Sequence, residues 1–325
     1  MHHPDSPNYA IEQARDAAHG GDGWAPRGTA TAEELGTIWG DCGVRSECGR
    51  LHAVLMRRPG PEIDGVTDAA SALWHDLLEP GLARAQHDTL AEVYRDHGVA
   101  VCFVEETAPD KPNAYFCRDQ FAMTPVGAIL ARPASRSRAG EERYVARALA
   151  MLGVPILHSV QGEATFEGAD IAVVNDDLVF IGEGQRTNPA GAEQVARLFR
   201  EVGFAQVETV QLPYGTGHLD GMLNIVDRDL AIVYPTQLPY RVWETLKHHG
   251  FRCLDVPDVG EARRGMAINM VPLAPGHVVM PAGNPITRAA LEAEGVTCVE
   301  VDVSELMKGA GSVHCMTGVL KRDPA

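Results

Sequence analysis

A unit of strand, strand, helix and strand recurs along this chain about every 45 residues, and that recurrence limits the folds open to it. The first unit is signalled by an apolar run over 51–56, closed by Arg58-Pro59-Gly60. A helical period over 82–97 follows the break at Pro80-Gly81, and a strand pattern covers 100–104. The second unit reads as strands starting at Tyr115-Phe116 and over 127–130, a helix over 141–152 and a strand over 154–157. In the third, strands over 171–174 and 178–181 flank Asn175-Asp176-Asp177, then come a helix over 190–202 and a strand over 207–210. The fourth covers 222–226, 230–234, 240–249 and 253–256, and the fifth 267–271, 277–280, 285–294 and 297–301. A repeat of this size is one supersecondary unit copied around or along an axis. Strands with covering helices make the class α/β, and no linker interrupts the series. Residues 38–325 therefore read as a single domain. Residues 1–37, rich in Gly, Asp, His and Pro, read as a mobile or loosely packed extension. In a closed ring, the last strand near Val319-Leu320 would lie beside the first, and the loops that open each unit would converge.

Bulk composition narrows the partners. The chain has 325 residues with 28 Lys+Arg against 44 Asp+Glu, a formal charge of −16. Such a surface repels nucleic acid and anionic membrane and tolerates cationic ligands. The 7 cysteines are scattered without a CxxC pair, which argues against a disulfide framework and for a reducing, cytoplasmic setting. The N-terminus has no apolar core of a secretory signal, and no apolar run approaches the length of a membrane span.

Four polar patterns sit in phase with the repeat. They are Tyr115-Phe116-Cys117-Arg118-Asp119, Thr165-Phe166-Glu167-Gly168-Ala169-Asp170, Gly217-His218-Leu219-Asp220-Gly221, and the run Gly309–Gly318 that carries Cys315. The last reads as a small-residue loop entering a strand, where a thiol can be reached by a ligand. One such acid is more often a cap or turn residue than a catalyst. A thiol and an imidazole ringed by carboxylates suit a substrate that is itself a strong cation. A guanidinium is planar, permanently charged, and gripped bidentately by carboxylates. Once bound, its charge offsets the acids and favours thiolate beside it.

In this order and spacing the motifs resemble the guanidino-group modifying enzymes: arginine deiminase, dimethylarginine dimethylaminohydrolase and the amidinotransferases. The similarity runs from about Arg45 to Asp323 and includes Ile181-Gly182-Glu183-Gly184-Gln185-Arg186-Thr187-Asn188. It implies a five-bladed α/β propeller of ββαβ units with pseudo-five-fold symmetry, which the repeat fits independently. It implies Cys315 as nucleophile on the guanidinium carbon and His218 as acid and then base. Asp119, Glu167 and Asp220 would hold the guanidinium nitrogens, with Glu167 part of the catalytic set. Asp170 would help bind substrate or orient its neighbours. Arg186 and Arg138 stand where relatives bind a substrate carboxylate. The resemblance implies a small guanidino substrate, no cofactor, no metal, no nucleic-acid or membrane partner, and allows a homodimer, a frequent state of relatives.

Within that family, Glu167 and His218-Leu219-Asp220 look like a hydrolase acting on an unsubstituted guanidinium end. The expected reaction is C–N hydrolysis of free arginine or a derivative through a covalent thiouronium, giving a citrulline-like product. The alternative is amidino transfer from arginine to an amine. Ala169, Ala310 and Ser312 replace glycines common in relatives. A zinc centre of His218, Asp220, His314 and Cys315 has the right residue types but lacks a compact ligand spacing. His52, His87, His248 and His249 read as surface or capping residues, and Cys117 as core.

Overall fold

The computed structural model describes residues 15–106 and 108–325. The chain divides into two compact units, Met1–Glu34 and Leu35–Ala325. Residues 1–14 of the expected extension lie outside the described residues. In the rest of the first unit, the helical turn Thr31–Glu34 is tied locally, with Arg27 Nε donating to Glu34 Oε1 at 2.6 Å.

The second unit is a propeller of five three-stranded sheets. Strands β1 (Leu51–Met56) and β2 (Ala100–Phe103) belong to the first blade. The second blade is β3 (Phe121–Thr124), β4 (Gly127–Leu130) and β5 (Ile156–Ser159). The third is β6 (Ile171–Val173), β7 (Leu178–Glu183) and β8 (Gln206–Gln211), and the fourth β9 (Leu223–Asp227), β10 (Leu230–Val233) and β11 (Arg252–Asp255). The fifth is β12 (Val271–Ala274), β13 (His277–Pro281) and β14 (Thr297–Val301), after which β15 (Gly318–Arg322) returns to the first blade. In every blade the middle strand runs antiparallel to the inner strand and parallel to the outer one. The parallel step needs a crossover, and helices Pro80–Asp96, Glu142–Met151, Pro189–Glu201, Tyr240–His248 and Pro285–Ala293 supply it.

β15 pairs antiparallel with β1, Val319 opposite Val54 and Gly318 opposite Leu55, so the two ends of the repeat series build one blade. Neighbouring blades touch in ring order: β15 with β3, β3 with the turn before β6, β6 with the turn before β9, β9 with β12, and β12 with β1, the middle strand of the first blade. Inner and middle strands are buried and read as continuous apolar runs, whereas outer strands such as β5 and β11 are partly exposed. Each helix covers a blade with an apolar stripe. Pro189–Glu201 buries Ala192, Val195, Ala196 and Phe199, and the Asn188 side chain caps it by accepting from the Gly191 N–H.

Two expected strands fall elsewhere. Tyr115-Phe116 is not paired: Phe116 N donates to Asn113 O at 3.0 Å in a local turn, and the strand begins at Phe121. The run 267–271 is likewise a turn, with Asn269 N on Met266 O at 2.9 Å, and its strand begins at Val271. Apolar character there reports burial against the core, not a ladder partner. Cys315 lies on a short helix, Val313–Met316, rather than in an open loop. His87 is not a surface residue: it is fully buried, and burial lowers its pKa to about 4.

Candidate active site

Every inner strand is preceded by a tight turn that carries a polar side chain toward the axis. Asp119 sits on the turn Cys117–Gln120, Glu167 precedes the turn Gly168–Asp170, and His218 precedes Leu219–Gly221, which holds Asp220. Cys315 lies on Val313–Met316 before β15. Asn269 occupies the matching place before β12. All five blades therefore contribute.

Asn269 holds the cysteine from both sides. Its Oδ1 accepts from the backbone N–H of His314 at 2.9 Å and of Cys315 at 3.4 Å, and its Nδ2 donates to Cys315 Sγ at 3.1 Å. The two backbone donors fix which end of the amide faces the sulfur. Burial, then the charges of Asp220 and Asp119, push the Cys315 thiol well above its ordinary range; the N–H donors of Ser312 and Asn269 oppose this.

His218 Nε2 meets Glu167 Oε2 at 2.8 Å. Burial favours neutral imidazole, but Asp119, Glu167 and Asp170 outweigh it and raise His218 to about 10. Burial would raise Glu167, yet the His218 hydrogen bond and the charges of Arg138 and Arg186 hold it well below the usual carboxylate range. Asp119 Oδ2 accepts from Arg138 Nη1 at 2.5 Å, while its Oδ1 is buried without a partner. Asp119, Glu167 and His218 offer atoms within 4.8 Å of one another, the group among the described residues that could hold a metal ion. Glu167 and His218 already pair with each other, and Asp119 Oδ2 with Arg138. Among the described residues the zinc quartet considered from sequence does not form such a group: His314 and Asp220 pair with each other, but His218 turns away to Glu167.

The remaining site candidates occupy distinct places. Asp170 accepts from Thr187 Oγ1 at 2.6 Å and Leu219 N at 3.1 Å, and so ties the Glu167 turn to the His218 turn. Burial raises it to about 7. Arg138 is buried with its donors on Asp119, on Glu141 Oε2 at 3.0 Å, and 3.6 Å from Glu167 Oε2. Arg186 is less buried, with Nη1 3.5 Å from Glu167 Oε1. Asp220 Oδ2 pairs with His314 Nδ1 at 2.7 Å. His314 Nε2 lies 3.9 Å from Glu47 Oε2, and Glu47 Oε1 accepts from Arg118 Nη2 at 3.1 Å.

Sequence reasoning missed Asn269, His314 as the partner of Asp220, Glu47 and Glu141. The phase of the repeat could have found Asn269. Nothing in the pattern marks Glu47 or Glu141, which are recognised by what they touch.

Cys315 and His218 stand where two cavities meet. One, of about 90 Å³, is lined by Phe116, Asp119, Arg138 and Arg186; the other, of about 530 Å³, by Asp220, Asn269, Tyr234 and Arg263. Both share Gly217, His218, Ala310, Gly311 and Cys315. A Cβ on Gly311 would lie 2.4 Å from the Phe116 ring, so this residue must be glycine for the two blades to approach. Ala310 is left-handed, with φ 69°, an unusual conformation for a residue with a side chain, kept at the shared wall of both cavities.

A family model described as N,N dimethylarginine dimethylhydrolase, eukaryotic, matches residues 77–321. The chain belongs to this family. An uncharacterized protein of Aeropyrum pernix is 30% identical over 239 residues, covering 72% of this chain and 83% of the relative. Arginine deiminase of Streptococcus equi subsp. zooepidemicus is 26% identical over 291 residues, 76% of this chain and 71% of that enzyme. A dimethylarginine dimethylaminohydrolase of Pseudomonas aeruginosa, solved with citrulline, superposes with a TM-score of 0.70 at 23% identity, over 84% of this chain and 100% of that one. An amidinotransferase from Microseira wollei gives 0.71 at 16% identity, over 87% and 98%. These likenesses place the dimethylhydrolase-family fold on this chain, and the family places it among enzymes that hydrolyse a C–N bond of an amidine. No helix among the described residues is long and apolar enough to cross a membrane.

Proposed function

We propose that this protein hydrolyses the guanidino group of free arginine or an arginine derivative through a covalent S-alkylthiouronium on Cys315. The observation that carries the reading is the bare Asp119 Oδ1, buried beside the wall that Cys315 and His218 share. A buried carboxylate oxygen without a donor is costly, and a guanidinium N–H supplies one.

In this reading the cation enters between the acids and lowers the cost of ionising Cys315. The thiolate, steadied by Asn269, attacks the guanidinium carbon and forms the C–S bond. His218, protonated through most of the physiological range, gives its proton to the departing amine as the C–N bond breaks. Neutral His218 then takes a proton from water, whose oxygen attacks the thiouronium carbon. The C–S bond breaks, the oxygen gives its remaining proton to solvent, and a neutral ureido product and the thiolate are left. Asp170 acts as a positioning residue through Leu219. Arg138 serves the acids rather than a substrate carboxylate, since Asp119 and Glu141 occupy its donors, and Arg186 is the better placed of the two for that anion.

Ligand binding should expel a proton. The free thiol is protonated at neutral pH, and His218 already carries its proton. Calorimetric titration with a slowly processed guanidine, in buffers of different ionisation enthalpy at pH 7.5, is expected to show close to one proton released by wild type and none by Cys315→Ser. Equal proton counts would remove the substrate-assisted ionisation. Asn269→Ala is expected to lower kcat by roughly 10- to 100-fold, the worth of a hydrogen bond to a charged sulfur, with a smaller change in KM. Steady-state kinetics on a folded variant decides it.

The 530 Å³ cavity favours a second reading, amidino transfer, because it leaves room for an acceptor amine beside Cys315. Ureido product formed without any amine supports hydrolysis; product that appears only with an amine supports transfer.

A further inference from the structure

The two cavities differ in more than size. The smaller, about 90 Å³, lies below the range of ordinary ligand pockets and is lined by Asp119, whose unpartnered oxygen suits a guanidinium head. The larger, about 530 Å³, is within that range. Asp220, whose charge acts on Cys315, lines it together with the apolar side chains of Ile268, Met266 and Ala262. Arg263 closes the helix Val259–Arg263, is exposed, and its guanidinium has no hydrogen-bond or ion-pair partner among the described residues. Thr216 also lines this cavity, 7% exposed, with its Oγ1 buried and unpartnered. An anion acting on the sulfur, apolar side chains and an exposed, unpaired guanidinium in one lining match a ligand with a cationic head, a short carbon stem and an anionic end.

We propose that the larger cavity is a subsite for a carboxylate-ended arm of the guanidine, with Arg263 as its counter-ion and Thr216 as a polar contact along the way. The inference rests on the guanidinium reading of Cys315 and Asp119 and adds to it where the rest of the ligand lies. The arm has two chemical sources: the substrate's own α-carboxylate, or a second arm on the guanidino nitrogen that faces Asp220. In the second case the amine leaving Cys315 departs into this cavity, and by reversal an anionic amine acceptor would enter through it. Arg186, across the shared wall and held by Glu167 only at 3.5 Å, takes the first carboxylate in that case.

The test is binding to the Cys315→Ser protein, with and without Arg263→Gln, read by calorimetry. The probes are arginine, agmatine, which lacks the carboxylate, and arginine carrying a carboxyethyl arm on a terminal guanidino nitrogen. Arg263→Gln is expected to weaken at least one carboxylate-bearing probe by roughly tenfold and leave agmatine unchanged. Loss for arginine itself assigns the cavity to the α-carboxylate. Loss confined to the armed probe, with arginine answering to Arg186→Gln instead, assigns it to a second arm. Unchanged affinity for both carboxylates, or equal loss for agmatine, overturns the subsite while leaving the guanidinium site in place. Failure of all three probes to bind with Arg263 intact overturns the guanidinium reading and the subsite with it. Arg263 is a surface side chain, so the variant should fold, and unchanged thermal unfolding checks that.

Discussion

Cys315→Ala is expected to lower turnover of any accepted guanidine by at least about 10⁴-fold while the protein stays folded. Attack by water on a guanidinium is difficult because the carbon is already stabilised by three nitrogens. A sulfur nucleophile splits that step into two, each with a better leaving or attacking group. Little else in the site can replace it, because the nearby groups are carboxylates held by cations and an imidazole held by Glu167. Folding should be spared. The side chain is small and partly exposed, and its loss frees only the Asn269 Nδ2 donor toward a cavity that admits water. Rapid quench of the wild type followed by mass spectrometry should find an adduct on the peptide carrying Cys315, with the mass of the substrate less its departing amine. Full turnover by the alanine variant, or an adduct on a different cysteine, would end the proposal.

Arg138→Met is expected to destabilise the fold by about 3–5 kcal/mol at pH 8, the usual cost of stripping the counter-ion from buried charges. In a unit as long as Leu35–Ala325 each kcal/mol moves the midpoint by roughly 1–2 °C, so the shift should be plain in a thermal melt. Arg138 lies among Asp119, Glu141 and Glu167, all buried. Without it, three carboxylates face one another, and His218 and Arg186 answer only Glu167 directly. The loss should shrink in acid. Burial already raises Glu141 to about 7, above its ordinary 4.5. A carboxyl whose folded pKa is raised destabilises the fold as pH climbs from its unfolded value to its folded one. Removing Arg138 raises it further, so at pH 6 protonation relieves much of the repulsion. Denaturant unfolding at pH 6 and pH 8 checks this; a loss below about 1 kcal/mol, or one equal at both pH values, would show that Arg138 does not neutralise the cluster.

The fold was legible because the propeller is a local repeat. Each blade's two strands, helix and outer strand are consecutive, and their apolar runs carry the signal; the helix read over 240–249 is Tyr240–His248, and the strand over 297–301 is Thr297–Val301. The misread stretches, Tyr115-Phe116 and 267–271, are turns packed as tightly as strands, and a run of apolar residues does not say whether its N–H groups bond a neighbour strand or the residues just behind. That second error concealed Asn269. A polar residue inside an expected buried strand looks like an irregularity, whereas on a turn before β12 it is the fifth member of the series.

By itself the sequence determined the repeat, the α/β class, and which chemistry-bearing residues recur in phase with it, because period and local spacing are properties of neighbours along the chain. The tertiary structure decided which of those groups are free and which are spent. Ring closure brings Asp220 to His314, Glu167 to His218 and Asn269 to Cys315 across sequence separations of 94, 51 and 46 residues, and puts Arg138 among the acids. The division of the central space into two chambers is decided there too. Pairings and voids between blades depend on how distant turns meet at the axis, and no local pattern encodes that meeting.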